Sequence, residues 1–180
     1  HGLLALGQGK ESKLLARLSV KQNHHSKYTL TAIQEGWDFS RFEPNIIQSQ
    51  GEATTTIKGL QIGKKSQQVA THSFIRFDGP KGKLTQLNKA LSNDSSHSIF
   101  NGVIEVPQKA QQTEASQLSR NLLLSKRARI DTKPELEIIA DDVKCTHGAT
   151  VSQLQEEELF YLMSRGISNK HANSLLLKGF

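Results

Sequence analysis

From residue 2 to about residue 151 the chain is a succession of short segments, each β-branched or alternating in polarity. They read GLLAL, KLLARLSV, KYTLTAI, ATTTIKGLQI, QQVATHSFIRF, SIFNGVIEV, NLLLSKRARI and LEIIADDVKC. Between them stand turn formers: Gly36, Gly51, Gly59, Gly63, Asp78-Gly79-Pro80 and Asn93-Asp94. Such a chain must fold mostly as β-sheet. A sandwich of hairpins fits it poorly. Only Asn101-Gly102 offers a two-residue hairpin turn. Segments such as EATTTIKG also place small and polar residues where a sandwich needs a broad apolar core. Stacked rungs of a parallel β-helix fit better, because each coil pairs with the next and the core is narrow and continuous. No fixed repeat period is visible. The expectation is a parallel β-helix over 1–151, with a simple hairpin at 101–102 as the alternative.

The pattern changes after Val151. QEEELFYLMSRG carries Glu156, Glu157 and Glu158 in a first helical turn, where carboxylates complement the positive end of the helix. Leu159, Leu162 and Met163 recur on one face, Arg165 sits in the last turn and Gly166 stops it. Gln155 stands where a better capping side chain is expected, so this helix start should fray. Ser168 caps a second helix, NKHANSLLLK, ended by Gly179. A helical region over 152–180 follows, offering Leu159, Phe160, Leu162, Met163, Leu175 and Leu176 as an apolar docking surface. The chain opens on His1 inside an apparent strand and ends on LLLKGF, so it is expected to be a piece of a longer protein.

Composition narrows the functions. Of the 180 residues only 6% are aromatic, and the net charge is +6. The basic residues are scattered, with the densest group at Lys126, Arg127 and Arg129 and no interleaved aromatics, so no nucleic-acid partner is expected. No apolar run approaches a membrane span, so no membrane partner is expected either. A single cysteine, Cys145, excludes an internal disulfide and suits a reducing compartment.

That cysteine belongs to the most specific stretch, ARIDTKPELEIIADDVKCTHGATV, where LEIIADDVK reads as strand and Gly148 as turn. Cys145 and His147 are two residues apart, so on a strand both point to one face. A thiol and an imidazole there suit zinc or iron–sulfur chemistry. Lys144 would favour the thiolate, and Asp141 and Asp142 would oppose it. Two donors do not close a metal site, so the rest must come from elsewhere. The ordinary alternative is a buried small residue. His24 and His25 are adjacent, face opposite ways on a strand, and are not expected to chelate one ion together. His72 in a strand, His97 in a Ser/Asn-rich turn and His171 in a helix read as surface or locally bonded groups. Asp141-Asp142 suggests a calcium or acid/base pair only weakly, because adjacent strand residues alternate faces. Nucleotide, metalloprotease and serine-hydrolase signatures are missing from the sequence.

Read together, SIFNGVIEV, AQQTEASQLSRNLLLSKRARIDTKPELEIIADDVKCTHGATV and EEELFYLMSRGIS closely resemble the SufB/SufD family of iron–sulfur cluster assembly proteins. The similarity covers roughly the C-terminal half and rests on TKPELEI, DDVKCTHGATV and LFYLMSRGI. The less family-typical N-terminal half inclines the chain to the SufD branch.

The resemblance implies a right-handed parallel β-helix followed by a small helical domain. It implies a non-enzymatic scaffold subunit that pairs with SufB as a heterodimer, docks the SufC ATPase on its helices, and builds and hands on nascent clusters. A transient iron–sulfur cluster shared with SufB is the implied cofactor, with none bound to the isolated fragment. The ligand positions available are His147 and Cys145: His147 leads on the SufD side, Cys145 on the SufB side. The implied location is the bacterial cytoplasm or the plastid stroma. A homodimer in isolation is a further expectation, because open β-helix edges pair readily. The competing functions are a purely structural assembly subunit without ligands and a polysaccharide-active β-helix enzyme.

Overall fold

The computed structural model describes the backbone of residues 2–6 and all atoms of residues 11–180. The described strands are β1 (Gly2–Leu6), β2 (Lys13–Gln22), β3 (Lys27–Glu35), β4 (Phe39–Gln48), β5 (Thr54–Gly63), β6 (Gln68–Phe77), β7 (Lys83–Ser92), β8 (His97–Val106), β9 (Glu114–Leu123), β10 (Arg129–Ile138) and β11 (Lys144–Gln153). Helices α1 (Glu156–Ser164) and α2 (Asn169–Gly179) follow. Odd strands form one parallel sheet in the order β1-β3-β5-β7-β9-β11, and even strands form a second in the order β10-β8-β6-β4-β2. Each coil therefore crosses both sheets, and the strand ladders stack rung on rung. This is a right-handed parallel β-helix of about five turns followed by two helices.

The coil length explains why no repeat period is visible in the sequence. Phe39 pairs with Gln68 and Gln68 with His97, but Lys13 pairs with Phe39 and His97 with Arg129. Most strands are ten residues long while corner lengths vary, so the spacing between stacked residues drifts along the sequence. β4, β7 and β9 escape sequence reading for a related reason. β4 carries Pro44, which has no N–H for the ladder, and its pairing to β6 skips from Phe42↔Thr71 to Asn45↔Phe74. β7 (KLTQLNKALS) and β9 (EASQLSRNLL) point Gln86, Asn88, Gln117, Ser119 and Asn121 inward, which disguises the usual apolar alternation.

Half of the core is apolar. Ile46, Ile75 and Ile104 stack in register and are fully buried, with Leu136 above them. Full burial of each such side chain contributes roughly 1.5–3 kcal/mol. The other half is a set of amide and hydroxyl ladders. Gln48 Nε2 donates to Thr55 Oγ1 at 2.8 Å and to the Lys83 carbonyl at 3.0 Å. Gln61 Nε2 donates to the Ile99 carbonyl at 3.0 Å and to Thr71 Oγ1 at 3.1 Å. Polar side chains can be buried here because neighbouring rungs and the facing sheet give most of them a partner.

Several sequence expectations are corrected. Asn101-Gly102 is no hairpin turn; it lies in the middle of β8, where a Cβ on Gly102 would come within 2.5 Å of Gln117 Nε2. Gly148 lies within β11 and forms no turn. NLLLSKRARI divides between the end of β9 and the start of β10, and LEIIADDVKC divides between β10 and β11. His97 opens β8 instead of sitting in the turn before it, with Nε2 at 2.7 Å from Asp131 Oδ2. Asp141 and Asp142 occupy a corner: Gln108 Nε2 donates to Asp141 Oδ2 at 3.0 Å, and the Asp142 N–H donates to Gln111 Oε1 at 2.9 Å.

The helices follow their signals closely. Gln155 caps α1 without a side-chain hydrogen bond, and Gly166 leaves it at φ +82°. Arg165 is the residue just past the last turn, its guanidinium 5.4 Å from the Tyr161 ring centre. Ser168 Oγ accepts from the His171 N–H at the start of α2.

Candidate functional site: the open last coil

β9 fixes the geometry of the site. Ala115, Gln117, Ser119 and Asn121 alternate inward and are buried. β11 pairs with β9 in parallel, residue on residue: Cys145↔Ala115, His147↔Gln117, Ala149↔Ser119 and Val151↔Asn121. Cys145 and His147 therefore share the inner face of β11, as their spacing predicts. Lys144 alternates to the outer face, stacked on Glu114, so it does not promote the Cys145 thiolate.

β10 and β11 are the terminal strands of their sheets. Among the described residues no further strand covers them. The inner face of the last coil is thus an open end of the described β-helix, and its two residues meet different surroundings. Cys145 is half-buried against the apolar core. Burial pushes its thiol above the usual cysteine range, and a hydrogen bond with the Ala115 backbone offsets part of that rise. His147 is exposed.

The floor beneath His147 is polar, whereas Cys145 stands on Ala115. Gln86 Nε2 donates to Ser73 Oγ at 2.9 Å, and Gln117 Nε2 donates to Gln86 Oε1 at 2.9 Å. This ladder runs in one direction and ends at Gln117 Oε1, which is buried and has no hydrogen-bond partner. The next rung above Gln117 is His147. Asn121 Nδ2 bonds Ser119 Oγ at 2.9 Å and the Thr150 carbonyl at 3.0 Å, tying β11 to the coil below. Sequence reading singled out Cys145 and His147 but not Gln86 and Gln117. Their signal was present as glutamines on the inward phase of two strands.

The rim of the open end is apolar. Ile138 and Val151 are 39% and 46% exposed, and Ile139 is 65% exposed. Cys145 and His147 stand outside any group of three potential metal ligands among the described residues. They are two potential donors on one face of a strand whose outer edge is unpaired among the described residues. The one three-ligand group there is His24, His25 and Glu52. This overturns the expectation that the two histidines cannot act together: they sit in a corner, not on a strand, with ring centres 3.9 Å apart.

On the helices, Leu159, Leu162 and Leu176 are half-buried, whereas Phe160, Met163 and Leu175 are 74%, 45% and 49% exposed. The six docking candidates therefore split between packing within the helical pair and facing outward. No helix among the described residues is long and apolar enough to cross a membrane.

The described molecule is a parallel β-helix whose last coil carries a thiol and an imidazole on one face, followed by two helices. The chain belongs to the family described as SUF system FeS cluster assembly, SufBD core domain, whose model matches residues 7–180. It is 42% identical over 166 residues to the iron–sulfur cluster assembly SufBD family protein slr0076 of Synechocystis, covering 92% of this chain and 37% of that protein. It is 38% identical over 175 residues to the chloroplastic protein ABCI7 of Arabidopsis thaliana, covering 95% and 37%. It is 40% identical over 134 residues to the iron–sulfur cluster assembly protein SufD of Escherichia coli, covering 74% and 32%. The chain thus spans about a third of the length of these relatives. The SufD relative agrees with the inclination to that branch.

Proposed function

We propose that this chain is the cluster-facing part of a non-enzymatic scaffold subunit in iron–sulfur cluster assembly, with His147 as its leading ligand and Cys145 as the secondary one. The observation that carries this reading is their placement together on the inner face of an uncovered last coil. The nascent cluster is cargo, held between this half-site and a SufB-type partner docked at the open end. Unpaired edges of β10 and β11 and the apolar rim suit a partner that continues the sheets. The exposed imidazole is ready to bind iron. The shielded thiol must first lose a proton, which a bound metal ion drives. Mixed ligation of this kind is less closed than four thiolates and suits release to a recipient protein.

The β-helix part (1–151) and the helical part (152–180) have separate tasks in this reading. Phe160, Met163 and Leu175 dock a SufC-type ATPase, with Leu159, Leu162 and Leu176 supporting them from within the pair. Motion of that ATPase is passed to the β-helix. The work is done in bacterial cytoplasm or plastid stroma, and a chain deprived of its partner pairs with itself.

The test is anaerobic reconstitution of the full-length protein with its SufB and SufC partners, comparing wild type with His147→Ala and Cys145→Ala by absorbance and Mössbauer spectra. Loss of cluster in His147→Ala with the complex still assembled is the expected result. Unchanged cluster in both variants would make the subunit purely structural.

A further inference from the structure

The corners that follow β2, β4, β6 and β8 repeat one backbone feature. His25, Glu52, Lys81 and Gln112 stand at φ +54°, +52°, +56° and +59°, one per coil. The corners are tied together by backbone bonds: Thr54 N–H to the Ser26 carbonyl at 2.9 Å, Glu52 N–H to the Pro80 carbonyl at 2.8 Å, and Lys81 N–H to the Gln111 carbonyl at 2.8 Å. The left-handed residues thus form a column down one edge of the β-helix, with side chains from successive coils held as neighbours. At its N-terminal end, farthest from the last coil, the column sets two imidazoles beside a carboxylate. His25 Nδ1 lies 3.1 Å from Glu52 Oε2, and His24 Nε2 lies 4.0 Å from the same oxygen. All three donor atoms fall within 4.8 Å of one another. The His24 backbone is fixed by its N–H bond to Gln50 Oε1 at 3.1 Å.

We propose that His24, His25 and Glu52 form a binding site for a borderline divalent cation of the first transition row, with Zn2+ and Fe2+ as its natural class. Two imidazoles and one carboxylate are the donor set such ions favour, and it leaves positions open for water or a further ligand. Donors bound at about 2.0–2.1 Å in a tetrahedral site stand roughly 3.3 Å apart. One pair already meets that spacing, and the others close by rotation of exposed side chains on a fixed backbone. Lys81 Nζ sits 3.7 Å from Glu52 Oε1, the opposite oxygen of the same carboxylate. It leaves Oε2 to the histidines while weakening the site through its charge. This site shares no residue with Cys145 and His147 and stands or falls independently of them.

The experiment is a Zn2+ titration of the full-length protein by calorimetry, paired with Co2+ absorption, in wild type, Glu52→Gln, His25→Asn and Lys81→Met. Asparagine at 25 tolerates the left-handed backbone, so that variant keeps its fold. The expected result is one site whose affinity falls at least tenfold in Glu52→Gln and in His25→Asn. It rises severalfold in Lys81→Met, and its Co2+ spectrum has no sulfur-to-metal charge-transfer band. Affinity unchanged in Glu52→Gln and His25→Asn, or a charge-transfer band that disappears with Cys145→Ser, would overturn the proposal and leave the three residues as an ordinary ion pair.

Discussion

Cys145 and His147 stand two residues apart and meet different surroundings. The thiol faces the core and the imidazole faces open solvent. Because burial raises the Cys145 pKa, its thiolate fraction at neutral pH is smaller than that of a free cysteine. Alkylation by iodoacetamide should therefore be slow at pH 7, with a pH–rate midpoint above that of an unstructured cysteine peptide. A midpoint at or below the peptide value would contradict the burial described. Gly102 gives a second test at this scale. A Cβ there would meet Gln117 Nε2 at 2.5 Å and Phe100 Cζ at 2.7 Å. Gly102→Ala should destabilise by about 1–3 kcal/mol in urea unfolding, the usual penalty for overpacking. The acid-side pH dependence draws on Glu43, held low by Arg17 and Arg41, on His72, held low by burial, and on the pair Asp78 and Asp131. In that pair burial pushes each carboxyl up, but hydrogen bonds from Arg76 and Lys109, and from Arg129 and His97, outweigh it and leave both below the usual range. A depressed carboxyl stabilises the fold above its unfolded pKa and loses that contribution as pH falls through the lower folded value. The contribution of these carboxyls should thus be lost below about pH 4, that of His72 already as pH falls through the ordinary histidine range, and Asp78→Asn should weaken the slope of melting temperature against pH on the more acidic limb.

At the scale of elements, the inward amide ladder holds coils together where aliphatic stacking is thin. Gln86→Leu would leave Gln117 Nε2 and Ser73 Oγ without their bonds. It should cost about 1–3 kcal/mol, the desolvation penalty of a buried polar group left unpaired. Ile104→Ala, in the apolar column, should cost about 2–5 kcal/mol. Equal, near-zero effects in the two variants by denaturant unfolding would mean that neither ladder is packed as described. These ladders also mark what sequence can and cannot tell. β2, β3, β5, β6 and β8 were legible because their alternation is apolar against polar. β7 and β9 were not, because their inward positions are glutamine, asparagine and serine, which look like surface until the stacking partner is known. β4 was hidden by Pro44. The Cys145/His147 pair was legible because period-two spacing alone puts both on one face. The His24/His25/Glu52 corner was not, since Glu52 comes from the next coil and the left-handed backbone at His25 has no sequence signal stronger than the turn itself.

For the whole molecule, the described β-helix ends on β1 and β2 on one side and on β10 and β11 on the other, and the second end carries Cys145 and His147 on its inner face. The last coil presents two strand edges unpaired among the described residues, an apolar rim, a thiol and an imidazole at once, which is the arrangement the proposed partner would complete. Val151→Lys, in the inner column at the rim, should prevent assembly with the SufB-type partner while leaving the far-UV circular dichroism of the full-length protein unchanged. Normal co-elution of that variant would place the partner elsewhere. The most direct test of the central claim is pulsed electron paramagnetic resonance of the reduced cluster in the complete complex, with 15N-histidine incorporated only into this subunit. The account predicts a 15N hyperfine coupling of directly ligated imidazole that disappears in His147→Gln while the complex stays assembled. A cluster signal with no such coupling, or a coupling that survives His147→Gln, would contradict it.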